Sequence, residues 1–158
     1  MNELIFLQEH FFKLVLAALI GGLVGLERGR GGNIGFGTLS ILTLSCCFIT
    51  VLSLELSPNT DSQLRVVAGL LSSVGFIGGG TIFTQRKDDN EKSVKGLTSA
   101  TIVFFLAIIG IAIGVGYYIT AIAVVILAEV NLFIAKIVKK QRNKQDVPNN
   151  NAIDNDEF

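Results

Sequence analysis

Apolar residues in this chain come in long runs rather than in stripes. Across 11–26, 36–56, 64–83, 97–113 and 117–138 nearly every position is apolar or small, and the polar residues collect between the runs. A helix needs about 20 predominantly apolar residues to cross a bilayer. The five runs therefore predict an all-α membrane protein, a bundle of five transmembrane helices. The first run is short and contains Lys13, and residues 4–7 ahead of it either extend it or lie in the interface. Gly114-Val115-Gly116 either separates the last two runs or kinks one long helix. The continuous apolar stretch there is too long for a single span at ordinary tilt, which favours two.

The third run is the richest in small residues: Ala68, Gly69, Ser72, Ser73, Gly75, Gly78, Gly79, Gly80 and Thr81. Lipid tails are as apolar as Leu, so burying apolar side chains gains little there. Helices associate instead by close backbone approach, which small residues permit. Gly75 and Gly79 form a G-x-x-x-G step, and Gly21/Gly25 and Gly110/Gly114 repeat it in the first and fourth runs. The third helix is expected to be central, touched on more than one side. Its triple glycine is read mainly as close packing; a helix break lining an ion site is the alternative.

Composition fits this class. Half of the 158 residues are hydrophobic, only 16% are charged, mean hydropathy is +0.58 and the formal net charge is zero. No general basic excess points to nucleic acid as a partner. The charges are nevertheless partitioned. Arg28 and Arg30 lie in the first link, Arg86, Lys87, Lys92 and Lys95 in the third, and Lys136, Lys139, Lys140, Arg142 and Lys144 near the end. On the opposite side stand only Lys13 and Arg65. Cytoplasmic loops carry the Lys/Arg excess, so the N-terminus is expected outside and the C-terminus in the cytoplasm. Residues 1–138 read as one transmembrane domain. Residues 139–158 read as a basic, then Asn- and Asp-rich tail without the apolar content for a core, expected to be disordered. The N-terminus, with Glu3 and Glu9 and no early Lys or Arg, does not read as a cleaved signal.

Candidate chemistry is sparse. Cys46 and Cys47 are adjacent inside an apolar run, where they read as small packing residues, and His10 is the only histidine. No catalytic triad, metal-ligand cluster or P-loop spacing is legible, so neither an enzyme nor a cofactor or metal site is expected. Glu27 and Arg28 close the first run as a helix stop and anchor, or as an ion pair or phosphate-facing patch at a helix interface. Arg65 either snorkels to the head groups or pairs between helices with Asp61 or Glu55. Glu129 either reaches the cytoplasmic interface or is an intramembrane carboxylate, which is a functional group by default. Lys95, Gly96 and Thr98 open the fourth helix, where Gly, Ser and Thr suit its free amides.

Three motifs resemble one family. Gly25-Leu26-Glu27-Arg28, then Arg65-x3-Gly69-x2-Ser72-x2-Gly75-Phe76-Ile77-Gly78-Gly79-Gly80, then Val94-Lys95-Gly96-Leu97-Thr98-Ser99-Ala100 are similar, in order and spacing, to the MgtC/SapB family of bacterial inner-membrane proteins across about 15–120. The resemblance implies a five-span, non-enzymatic protein of the inner membrane associated with magnesium limitation. It implies as matching sites Glu27, Arg28, Arg65, Gly69, Gly75, Gly78, Gly80, Lys95, Gly96 and Thr98. In the MgtC type it implies links to survival in macrophages and to inhibition of the proton-driven ATP synthase. Departures weigh against that narrower role. Gly35-Phe36-Gly37-Thr38-Leu39 lacks the Arg and His of the family's G-L-R-T-H-like motif, the chain has no Trp, and a soluble C-terminal domain is not read. The expected partners are the lipid bilayer and a membrane protein or a second copy, met through small-residue faces. An oligomeric ion carrier or channel is the rival reading.

Overall fold

The computed structural model describes residues 3–29, 35–88 and 91–145, without the side chains of 28–29, 83–88, 91–95, 139–140 and 142–145. Five helices and one hairpin follow in order: α1 (Glu3–Gly29), α2 (Phe36–Leu56), α3 (Thr60–Gly80), β1 (Phe83–Asp88), β2 (Glu91–Lys95), α4 (Leu97–Val115) and α5 (Tyr118–Gln145). Residues 4–7 are part of α1 itself. The chain divides into two units, Met1–Ala121 and Ile122–Phe158. Arg30 and residues 146–158 lie outside the described residues.

In the first unit the organising helix is α2, not α3. It packs extensively against both α1 and α4, and less against α3. The reason lies in its sequence. Leu39, Thr43, Cys46, Thr50 and Ser53 recur at alternating steps of four and three, which puts them on one face, and all five are buried. They are small or medium-sized, so neighbouring backbones come close. Their polar atoms are satisfied locally: Thr43 Oγ1 donates to Leu39 O and Thr50 Oγ1 to Cys46 O, each at 2.8 Å. Such back-bonding leaves no hydroxyl unpaired where water is absent. Ser40 Oγ crosses to α1, donating to Ala18 O at 2.9 Å.

Glycines on the flanking helices complete the fit. A Cβ on Gly21 of α1 would lie 2.6 Å from Leu39 O, and one on Gly25 would lie 2.8 Å from Phe36 Cα. On the other side, a Cβ on Gly114 of α4 would lie 2.9 Å from Cys47 O, and one on Gly110 would strike Thr43 O. Both expected G-x-x-x-G faces of α1 and α4 are thus used, and Cys46 and Cys47 are buried packing residues with free thiols.

The helix ends follow local rules. Asn59 caps α3, its Oδ1 accepting from Asp61 N at 2.9 Å. Helix α4 stops at Gly116 (φ +108), whose N–H donates to Ala112 O and Ile113 O while Tyr117 N reaches Ala112 O at 2.9 Å. This left-handed glycine stop resolves the 114–116 joint into two helices rather than one kinked rod. The charged stretch expected as a plain loop between α3 and α4 is an antiparallel hairpin, with Phe83 opposite Lys95 and an irregularity between Arg86 and Asp88.

Candidate functional site

The hairpin explains why two of the three sequence motifs belong together. It returns the chain so that the start of α4 lies against the end of α3. A Cβ on Gly78 would meet Ala100 O at 3.4 Å, and one on Gly96 would collide with the backbone oxygen of Thr81. Gly96 also has φ +89, a conformation that glycine alone adopts at no steric cost. Thr81 closes the end of α3 by donating its hydroxyl to Gly78 O at 2.7 Å. Gly78 and Gly96 are therefore positioning residues of one junction between α3, the hairpin and α4. Thr98 is exposed one residue into α4, and Ala100 N donates to Gly96 O at 2.9 Å.

The rest of the α3 motif faces away from that junction. Gly69, Ser72, Gly75 and Gly80 are exposed, and a Cβ on Gly69, Gly75, Gly79 or Gly80 would meet nothing within 4 Å. Helix α3 packs on α4 and, less, on α2, through Val74 and Gly78, its two buried residues. The expectation of a central α3 is thus corrected: its small face is open, beside an 86% exposed Phe76. The triple glycine is continuous helix to Gly80, not a break.

Arg65 is exposed on α3 and has no ion-pair or hydrogen-bond partner among the described residues. Glu55, one of its expected partners, is paired elsewhere: His10 Nε2 lies 3.1 Å from Glu55 Oε1, tying the start of α1 to the end of α2. Near it Lys13 Nζ donates to Gly114 O at 3.2 Å. A cation at the last carbonyls of α4 suits that helix's negative end, so this intramembrane lysine is satisfied rather than stranded. Glu27 is exposed in the last turn of α1, and Gly25 before it seats α1 on Phe36. The side chains of Arg28 and Lys95 lie outside the described residues. In the second unit Glu129 is half-buried along α5, and Asn131 Nδ2 donates back to Leu127 O at 2.8 Å. The structure joins Gly78 to the Gly96 motif. Among the described residues it does not bring Arg65 to an acid, and it adds His10, Lys13 and Glu55 as a polar cluster.

Four helices, α1, α2, α4 and α5, are long and apolar enough to cross a membrane. Large apolar side chains such as Leu23 and Ile41, both 65% exposed, cover the outside of the first unit. An apolar core wrapped in an apolar exterior has lipid, not water, as its solvent. The protein is a multi-pass α-helical membrane protein.

Residues 14–141 match the model of the MgtC family, and the chain belongs to that family. An uncharacterized protein of Haemophilus influenzae is 30% identical over 139 residues, covering 82% of this chain and 57% of that one. Protein SapB of Bacillus subtilis is 30% identical over 137 residues, with 81% and 57% covered. Protein MgtC of Salmonella typhimurium is 30% identical over 128 residues, with 80% and 52% covered. The chain thus spans little more than half the length of these relatives. No solved structure matches it.

Proposed function

We propose that this chain is a non-enzymatic bacterial inner-membrane protein that modulates another membrane machine, and through it magnesium or cation homeostasis, under magnesium limitation. The observation that carries the reading is the open face of α3. Glycine in a helix is destabilising by about 1 kcal/mol relative to Ala. Gly69, Gly75, Gly79 and Gly80 nevertheless line α3 where no described residue of the first unit comes within 4 Å of a Cβ built there. In lipid such a face is suited to one thing, the close approach of another helix. The occupant is a transmembrane helix of a partner protein; a second copy of the chain is the other outcome that crosslinking would distinguish by mass.

In this reading α3 crosses the bilayer as a fifth span. Its 21 residues reach about 32 Å at 1.5 Å per residue. The Lys/Arg partition puts the N-terminus outside and the C-terminus in the cytoplasm. The decisive experiment deletes the gene and follows growth and membrane potential at low magnesium. The expected result is impaired growth with altered potential, restored by the wild-type chain but not by a Gly75→Leu, Gly79→Leu variant made at normal levels. Unchanged growth and potential overturn the proposal. Ion flux through purified protein in liposomes would replace it with the carrier reading.

A further inference from the structure

The structure gathers a second set of groups that the α3 reading does not use. One ring nitrogen of His10 and one carboxylate oxygen from each of Glu9 and Glu55 all lie within 4.8 Å of one another. Glu9 and His10 are neighbours on α1, and Glu55 comes from the last turn of α2, so the fold rather than the sequence assembles them. His10 is only 9% exposed and is held against the Phe6 ring at a centroid distance of 4.8 Å. Its Nδ1 is buried without a hydrogen-bond partner. The other ring nitrogen, Nε2, is the one that faces the Glu55 carboxylate, at 3.1 Å from Oε1. Neutral imidazole carries one unprotonated nitrogen, a metal-ligating lone pair.

We propose that Glu9, His10 and Glu55 bind a divalent transition-metal cation of the Zn2+ class. Bonds near 2.1 Å set neighbouring ligand atoms about 3.0–3.4 Å apart, and His10 Nε2 and Glu55 Oε1 are already 3.1 Å apart. Glu9 is exposed, and its carboxylate oxygen is already within 4.8 Å of the other two ligand atoms. One nitrogen with two carboxylates suits Zn2+ and its first-row neighbours, whereas Mg2+ takes oxygen ligands and keeps its waters. Two carboxylates outweigh the single nearby ammonium of Lys13, which is itself turned to the Gly114 carbonyl. Binding ties α1 to α2 more firmly than the 3.1 Å His10–Glu55 contact alone, and it releases any proton the ligating nitrogen held. This site stands independently of the α3 proposal.

The test uses the full chain, free of any polyhistidine tag, purified in detergent and stripped with chelator. Co2+ is titrated while its visible absorption is followed, and Zn2+ binding is measured by calorimetry. The expected result is one ion per chain, with Co2+ displaced by Zn2+ and not by millimolar Mg2+. Glu9→Gln, which leaves the His10–Glu55 pair in place and does not threaten folding, weakens binding at least tenfold; His10→Gln weakens it at least a hundredfold. The proposal is overturned by wild-type binding no tighter than that of Glu9→Gln, or by equal competition from Mg2+. The first outcome makes the cluster a hydrogen-bonded pair only, and the second makes it a divalent-cation site without the Zn2+ preference.

Discussion

Two sets of glycines in this protein look alike in sequence and behave oppositely in the fold. Gly21, Gly25, Gly110 and Gly114 press α1 and α4 onto α2, with no room for a Cβ. Gly69, Gly75, Gly79 and Gly80 on α3 face open space. The same four-residue step therefore marks closed packing in one place and an unused face in another. What separates them is the partner: α2 presents Thr43, Cys46, Cys47 and Thr50, small enough to let two helices approach. Among the described residues of the first unit, none presents such a surface to the outer side of α3.

This contrast can be broken most forcefully at Gly96. Gly96→Ala combines a positive φ with a collision against Thr81 O, and the expected loss is about 3 kcal/mol or more. A lower unfolding temperature in detergent, or collapse of the protein level in membranes, would register it. Next is Gly110→Ala, whose Cβ strikes the Thr43 carbonyl; overpacking of this kind costs about 1–3 kcal/mol. The same thermal assay should show an intermediate shift. Glu55→Gln weakens the tie between α1 and α2 at His10, with an expected loss of about 1 kcal/mol, best measured as faster hydrogen exchange at the start of α1. Smallest is Gly75→Ala. It meets no neighbour and gains helix propensity, so stability should stay level or rise by up to about 1 kcal/mol, while growth at low magnesium deteriorates.

Much of the helix plan was legible because apolar runs of membrane length are a strong signal, and the Gly116 stop was visible as a glycine-flanked joint. The glycine steps in α1 and α4 are packing faces, as their spacing predicts. For α3 the identical signal misled, since spacing shows that a helix can approach closely but not whether anything does. The hairpin was illegible: β1 and β2 are short and charged, without the alternation that announces a strand. The polar cluster was hidden for another reason. His10 and Glu55 are 45 residues apart, and only the antiparallel packing of α1 on α2 brings them together. Arg65 invited a partner on α3 or α2, yet Glu55 was already engaged by His10.

The most direct measurement places a photo-crosslinking residue at Phe76, on the open side of α3, and separately at Leu23, exposed on α1, in native membranes. The account predicts a discrete protein adduct from position 76, lost when Gly75→Leu is added, and only lipid adducts from position 23. Lipid adducts alone from both positions would contradict it.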